Sequence, residues 1–174
     1  FELGECNALI GAALRAEDTQ NFFAELLQRV VPKHDKQVLG EVTTVRKWVE
    51  GFAGDGVRRL AQATSLPGDH AGQETRSYRW PYGATSVITP FNFPLNLVCH
   101  KVAPAIAAGC PVVLKPASAT PLTAIRLAEV LLDECGLLPG WINVGTCPGR
   151  TATHLVEHDD VAMITFTGSP PVGW

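Results

Sequence analysis

The sequence lacks several patterns that would assign a function at once. Its 174 residues contain no CxxC pair, no HExxH stretch and no GxGxxG loop. These absences argue against a cysteine-bound zinc site, a metalloprotease centre and the common dinucleotide fingerprint. No apolar run approaches the roughly 20 residues that a membrane-spanning helix needs, and no basic leader precedes an apolar segment.

The sequence also has no large excess of charge of one sign and no cluster of histidines. The net charge is −3 and charged residues make up 18% of the chain, so we expect no nucleic acid and no membrane as partners. The five histidines form no ligand pattern, and we expect no metal site. Cys99 and Cys110 lie in apolar runs, which is typical of core cysteines in a reducing compartment. Small molecules and other proteins are the expected partners.

The first part of the chain predicts helices. Apolar residues recur at helical spacing from Phe22 to Val30 and again from Val38 to Phe52, so residues 1–65 form a predicted helical segment. Residues 66–83 place turn residues around the polar stretch TRSYRW. We interpret them as a linker that can carry an oligomerisation strand.

From residue 84 to residue 174, short β-branched runs alternate with helical segments. The predicted strands cover residues 84–89, 111–115, 141–145 and 161–166, and the predicted helices cover 95–109, 121–136 and 150–158. This alternation predicts an α/β fold with a Rossmann-like parallel sheet and flanking helices. Ligands of such sheets bind outside the carboxyl ends of the strands, so the polar clusters that follow these strands are expected at one edge.

Two polar side chains at this edge stand out from apolar surroundings. Asn92 lies between Phe91 and Phe93, where its carboxamide can stabilise a developing oxyanion, although a turn or capping role explains the same position. Lys115 ends an apolar strand, where its ammonium can bind ribose hydroxyls or a phosphate, or extend to solvent. The residues by themselves leave both alternatives open.

Two glycine-containing turns follow the later strands. GTCPG, residues 145–149, lacks the phosphate-loop pattern and is a weak candidate for ligand contact. In FTGSPP, Gly168 allows a tight turn, Ser169 can cap a helix and Pro170 suits the first helical position. Amides at such a helix start suit a pyrophosphate, and an ordinary capped helix is the alternative.

Together, the stretches ITPFNFPLNLVCHKVAPAIAAGCPVVLKPAS and FTGSPPVG closely resemble the cofactor-binding domain of the aldehyde dehydrogenase superfamily, in family order and at family spacing. The resemblance runs from about Gly40 to the end of the chain. It implies oxidation of a small aldehyde to a carboxylic acid with NAD or NADP, through a cysteine thiohemiacetal. It also implies a homo-oligomer for the complete protein, in the cytoplasm or the mitochondrial matrix.

The resemblance implies roles for individual residues. Asn92 would supply the oxyanion-hole amide, Lys115 would bind the adenosine ribose and Ser169 would bind the pyrophosphate. Ser118 stands where NAD-preferring members often carry glutamate, and a neutral serine would not repel the 2′-phosphate of NADP. The other implied cofactor contacts are Ile88, Thr89, Pro90, Phe91, Gly149, Phe166, Gly168 and Val172. Cys147 departs from the family, in which many members have a glycine there.

Residues 22–83 narrow the resemblance to plant-type 1-pyrroline-5-carboxylate dehydrogenases, which oxidise glutamate semialdehyde to glutamate in proline catabolism. In the family, the nucleophilic cysteine and the general-base glutamate lie downstream of FTGS. The resemblance therefore implies that this chain, which ends at Trp174, is an inactive portion of a longer enzyme. The alternative is a truncated, non-catalytic chain that binds or helps to assemble a full-length homologue.

Overall fold

The computed structural model describes residues 17–31, 35–51, 64–66, 75–77 and 79–173. Two helices begin this part of the chain, α1 (Glu17–Val30) and α2 (Asp35–Gly51). The predicted helical spacing is confirmed, because these buried side chains recur at three- or four-residue intervals within each helix: Phe23, Leu27, Val38, Val42, Val45 and Val49. Phe52, the last apolar residue of the predicted pattern, lies outside the described residues.

Two short strands follow in the region of the predicted linker. Strand β1 (Thr64–Leu66) pairs antiparallel with β2 (Thr75–Ser77), so TRSYRW begins as an extended segment. The first strand starts at Thr64, slightly before the predicted end of the helical segment at residue 65. Thr64 is β-branched, which favours a strand, and the turn signal Pro67-Gly68 follows shortly after it. Together they account for this difference.

A parallel sheet of four strands forms the second half of the chain. Its strands are β3 (Thr85–Ile88), β4 (Val112–Lys115), β5 (Ile142–Val144) and β6 (Met163–Phe166), in the order β5-β4-β3-β6. All three strand pairs are parallel, which confirms the predicted α/β fold. The strands are shorter than predicted. Pro90 and Pro111 contribute to this, because proline has no N–H to donate to a strand ladder.

Three helices connect the strands, and a fourth follows β6. They are α3 (Asn96–Ala107), α4 (Leu122–Glu129), α5 (His154–Glu157) and α6 (Pro170–Gly173). Helix α4 continues as a π-helical turn, Val130–Glu134, before Gly136 adopts a φ of 66°. The predicted helix over residues 150–158 is instead a 3₁₀ turn (Gly149–Thr151) followed by the single-turn α5.

The helices and the sheet share one hydrophobic core. Helix α2 packs on α3, and α1 packs on α2 and α4. Val87 of β3 and Leu114 of β4 are fully buried in the same cluster as Phe23, Val45 and the apolar face of α3. Within the described ranges, no helix combines the length and apolar character that a membrane crossing requires.

An aromatic contact joins α2 to α3. The rings of Trp48 and His100 meet edge to face with centroids 4.5 Å apart. Burial lowers the pKa of His100, and the adjacent Lys101 lowers it further. Nε2 of His100 is buried and has no hydrogen-bond partner within the described segments. Protonation of this imidazole would therefore place an uncompensated charge in the interface between the two helices.

We expect the stability of the fold to decrease on mild acidification. The pKa of His100 is lower in the folded protein than its ordinary value of 6.5, so the unfolded chain binds the proton more readily. The contribution of His100 to the free energy of unfolding is complete above pH 6.5 and decreases as the pH falls below that value. Denaturant unfolding at about pH 7.5 and about pH 5.5 measures this change.

The substitution His100→Gln should remove most of the pH-dependent loss. His154→Gln is the matched control, because His154 is exposed on the short helix α5. An equal pH dependence of the free energy of unfolding in the wild type and in His100→Gln would contradict the assignment.

Candidate functional site

The strand register brings the predicted motifs to one edge of the sheet. Ile88 pairs with Lys115 on one side and with Phe166 on the other. Beyond this row, the N–H of Thr89 donates to the carbonyl of Lys115 at 3.3 Å, and the N–H of Thr167 donates to the carbonyl of Ile88 at 3.1 Å. We call residues 88–92, 115–118, 145–149 and 166–169 the carboxyl edge. Parallel strands of a Rossmann-like sheet bind ligands there.

Lys115 and Thr89 have side-chain atoms at the carboxyl edge that can form further hydrogen bonds. Lys115 is only 7% exposed, and its ammonium donates a hydrogen bond to the carbonyl of Pro116 at 3.2 Å. An ammonium has three donors, so this one bond leaves capacity for a ligand. Thr89 is 4% exposed, and its hydroxyl oxygen has no partner within the described part of the chain. Buried polar atoms are rarely left unpaired, which makes this part of the carboxyl edge suitable for a hydroxylated ligand.

Asn92 lies in the loop between β3 and α3. It is exposed, as are its neighbours Phe91 and Phe93. Helix α3 has Leu95 at its N-cap position and no side-chain cap hydrogen bond of its own, so Asn92 does not cap it. The carboxamide of Asn92 is therefore available to a ligand at the point where the loop leaves the sheet.

Sequence analysis missed a buried carboxylate behind this loop. Glu41 of α2 is 4% exposed, and its Oε1 accepts hydrogen bonds of 3.0 Å from the N–H groups of Leu95 and Asn96. Glu41 lies among Val38, Val42 and Val45 on the buried face of its helix. A glutamate at core spacing is the signal that could have revealed it, because a buried carboxylate needs hydrogen-bond donors.

The loop after β5 completes one side of the carboxyl edge. The hydroxyl of Ser118 donates to the carbonyl of Cys147 at 3.4 Å, and the N–H of Gly145 donates to the carbonyl of Leu114 at 2.9 Å. Gly149 is exposed at the start of the 3₁₀ turn, and a Cβ added there would meet nothing within 4 Å. A ligand can therefore approach the backbone of this loop closely.

The turn after β6 lies against an aromatic ring. A Cβ on Gly168 would overlap the ring of Phe166, and one on Gly173 would come within 2.9 Å of the same ring. Ser169 is exposed, and its carbonyl accepts hydrogen bonds from Val172 at 3.1 Å and Gly173 at 3.2 Å. Pro170 is the first residue of α6, as predicted. Val172 lies on this short helix and is exposed.

Comparison with known proteins identifies the family. The family model described as "Aldehyde dehydrogenase family" matches residues 6–174. The chain belongs to the aldehyde dehydrogenase family. This membership agrees with the parallel sheet and with the positions of the motifs that carry the resemblance.

Relatives with different substrates resemble the chain to similar extents. It is 36% identical over 169 residues to Delta-1-pyrroline-5-carboxylate dehydrogenase 12A1, mitochondrial, from Arabidopsis thaliana, covering 97% of this chain and 30% of the relative. It is 43% identical over 159 residues to 3-sulfolactaldehyde dehydrogenase from Priestia aryabhattai, covering 88% of this chain and 33% of that protein.

Among solved structures, aldehyde dehydrogenase 21 from Physcomitrella patens, in complex with the reaction product succinate, superposes with a TM-score of 0.89. The identity is 34%, over 100% of this chain and 37% of that structure. The chain thus spans about a third of the length of these relatives.

Most of the cysteines whose environment is described are core residues. Cys99, Cys110 and Cys135 are buried, and Cys147 is half-buried. Burial raises the pKa of the Cys99 thiol far above its ordinary value, and the nearby carboxylate of Glu41 raises it further. A thiol needs its thiolate form to attack a carbonyl, so Cys99 is a core residue. Cys6 lies outside the described residues.

The packing of Phe166 on Gly168 leads to a test of this aldehyde dehydrogenase segment. Gly168→Ala should lower the free energy of unfolding by about 1–3 kcal/mol, because the added methyl group must displace the ring. Gly149→Ala is the matched control and should change stability by less than about 0.5 kcal/mol, since its added methyl meets no atom.

Denaturant unfolding of both variants gives the two free energies. Replacing Phe166 by leucine in the Gly168→Ala background should recover part of the loss. Equal stability of Gly168→Ala and Gly149→Ala would refute the close packing of the ring.

Proposed function

We propose that these residues form the cofactor-binding portion and supply the oxyanion amide of an NAD(P)-dependent aldehyde dehydrogenase. The observation that carries the proposal is the single register row of Ile88, Lys115 and Phe166. Because of this row, the motifs after three parallel strands emerge side by side at the carboxyl edge. The family assignment supports aldehyde oxidation as the reaction class.

The carboxyl edge has the donors that a dinucleotide needs. Lys115, with spare ammonium donors, would bind the hydroxyls of the adenosine ribose, and Ser169 with Gly168 would contact the pyrophosphate. Gly149 and Val172 would lie beside the adenosine and phosphates, where the open backbone at Gly149 permits close approach. Phe166 would also help to shape the adenine and phosphate sites, and four further residues would line the cofactor channel: Ile88, Thr89, Pro90 and Phe91.

Asn92 would act on the aldehyde itself. Attack of a cysteine thiolate on the carbonyl carbon moves an electron pair onto the carbonyl oxygen. A carboxamide N–H aimed at that oxygen stabilises the charge as it develops. Asn92 is exposed at the end of β3 and is not occupied in capping α3, which supports this role. Lys115, Ser169 and the other residues of the carboxyl edge would hold the nicotinamide cofactor, which would supply the hydride acceptor for this oxidation.

The nucleophilic cysteine and the general base of this reaction would lie outside residues 1–174. The chain spans about a third of its relatives, and its described cysteines are core or half-buried residues. We therefore propose that the 174 residues alone do not complete the reaction. The complete site would combine Asn92 and the carboxyl edge with residues of a longer chain, which is proposed to form a homo-oligomer.

Glutamate semialdehyde is the first substrate to test. The plant relative is named as a mitochondrial 1-pyrroline-5-carboxylate dehydrogenase, and 1-pyrroline-5-carboxylate is in equilibrium with glutamate semialdehyde. The second aldehyde to test is 3-sulfolactaldehyde, after which the bacterial relative is named. Assaying both aldehydes with NAD and with NADP separates the alternatives. A mitochondrial or cytoplasmic location stays a prediction.

A second candidate function follows from the edge of the sheet. Strand β6 pairs only with β3 among the described strands, and its Met163 and Ile164 are 46% and 42% exposed. Uncovered strand edges with apolar side chains associate with other chains. A non-catalytic chain that assembles with a full-length homologue would use this edge. Co-purification with such a homologue favours this candidate, and NAD(P)H production from an aldehyde by the 174 residues alone excludes it.

Substitutions at Asn92 and Lys115 separate the two proposed roles. In an active aldehyde dehydrogenase that contains these residues, Asn92→Ala should lower kcat by roughly 10²–10³ with little change in nucleotide affinity. Lys115→Ala should weaken nucleotide binding roughly 10–100-fold, because it removes charged hydrogen-bond donors. Lys47→Ala, on an exposed position of α2, is the matched control.

Steady-state kinetics with calorimetric titration of NAD gives both quantities. Unchanged kcat in Asn92→Ala would exclude its oxyanion role, and unchanged affinity in Lys115→Ala would exclude its role in cofactor binding.

Ser118 generates a separate prediction about the nucleotide. Ser118→Glu should reduce the affinity for NADP by about tenfold or more relative to NAD, because a carboxylate would repel the 2′-phosphate. Ser118→Gln has the same length without the charge and should leave the ratio of the two affinities nearly unchanged. Equal loss of NAD and NADP binding in Ser118→Glu would show that position 118 does not face the ribose 2′-substituent.

A further inference from the structure

The start of α3 is held by a residue far away in sequence. Helix α3 begins at Asn96, and its N-cap residue, Leu95, has an apolar side chain that cannot accept a hydrogen bond. The first N–H groups of a helix have no partner within the helix and are usually capped by Ser, Thr, Asp or Asn. Here the carboxylate of Glu41 accepts the N–H groups of both Leu95 and Asn96 at 3.0 Å, across 54 and 55 residues of sequence.

This contact is strong for two physical reasons. Glu41 is 4% exposed, so its charge depends on hydrogen-bond donors instead of water. A carboxylate at a helix N-terminus also interacts favourably with the helix dipole, and charge-assisted hydrogen bonds are stronger than neutral ones. Helices α2 and α3 are packed together through one core, which includes Val42, Val45, Val98 and Val102. Glu41 therefore fixes the first turn of α3 against a rigid neighbour.

The first turn of α3 determines the position of Asn92. The N–H of Leu97 donates to the carbonyl of Phe93 at 3.0 Å, so the turn begins one residue after Asn92. On the other side, the N–H of Thr89 is bonded to the carbonyl of Lys115 on the neighbouring strand. The loop that carries Asn92 is thus held at both ends. The backbone of this loop therefore fixes the point from which the Asn92 side chain extends.

We infer that Glu41 is a positioning residue for Asn92: its carboxylate, by fixing the amides of Leu95 and Asn96, aims the Asn92 carboxamide at the reacting carbonyl oxygen. The inference rests on the proposed role of Asn92. Glu41 does not touch the substrate, because its carboxylate is buried between α2 and α3. Misplacement of a catalytic group by about 1 Å can cost roughly 10² in rate, so loss of this anchor should reach the chemical step.

The experiment compares Glu41→Leu with Glu41→Gln in the active protein that contains these residues. Glu41→Leu removes the one oxygen that accepts both hydrogen bonds and should lower kcat about 10–100-fold, with the KM for the nucleotide unchanged. Glu41→Gln keeps an amide oxygen that can accept both N–H groups and should stay within about threefold of the wild type. Glu50→Gln, on the same helix but half-exposed, is the matched control and should leave kcat unchanged.

Two further readouts distinguish positioning from a general loss of structure. Hydrogen exchange should show faster exchange at the amides of Leu95 and Asn96 in Glu41→Leu, with the central strand β3 still protected. In an Asn92→Ala background, Glu41→Leu should cost no further kcat, because the residue through which it acts is already gone. If Glu41→Leu does not fold, the smaller substitution Glu41→Ala, which also removes the acceptor oxygen, replaces it in both backgrounds with the same expected results.

The outcomes identify which part of the account fails. An unchanged kcat in Glu41→Leu, together with a large loss in Asn92→Ala, would overturn the positioning role and leave the proposed function intact. An equal loss from Glu41→Leu in the presence and absence of the Asn92 side chain would also overturn it. Full activity of Asn92→Ala would overturn the proposed oxyanion role, and the positioning role with it.

Discussion

The parallel pairing of β3 with strands on both sides is the constraint on which the rest of the structure depends. Ile88 lies opposite Lys115 and opposite Phe166, so three motifs separated along the chain leave the sheet at one level. A shift of one residue in either pair would turn every side chain of that strand to the opposite face. The fully buried Val87 and Leu114 oppose such a shift, because it would turn them away from the apolar residues against which they pack.

The N-terminal helices support the candidate site and also form part of the hydrophobic core. Helix α2 supplies Glu41 to the start of α3 and Trp48 to the ring of His100. These contacts connect the helical segment to the loop of Asn92. The position of this loop therefore also depends on residues of α2. Lys101 connects α3 to the sheet as well, because its ammonium donates a hydrogen bond to the hydroxyl of Thr165 in β6 at 3.2 Å.

Sequence analysis predicted the alternation of strands and helices because each period is set locally by apolar spacing. It also placed Asn92, Lys115 and Ser169 at or beyond the carboxyl ends of three predicted strands, which are β3, β4 and β6 in the structure. It did not predict the contact of Glu41 with α3, because pairing across 54 residues depends on how helices pack. The π-helical turn after α4 and the packing of Phe166 on Gly168 were missed as well.

The most direct test is to measure the hydrogen exchange of backbone amides with and without NADP. Adding the nucleotide to the protein should slow exchange at the carboxyl edge, in residues 88–92, 115–118 and 166–169. The amino ends of the same strands, near Ala84, Pro111 and Trp141, should be unaffected, since they lie at the opposite edge of the sheet. Protection at those amino ends, or no protection at the carboxyl edge under saturating nucleotide, would contradict the assignment of this edge as the cofactor site.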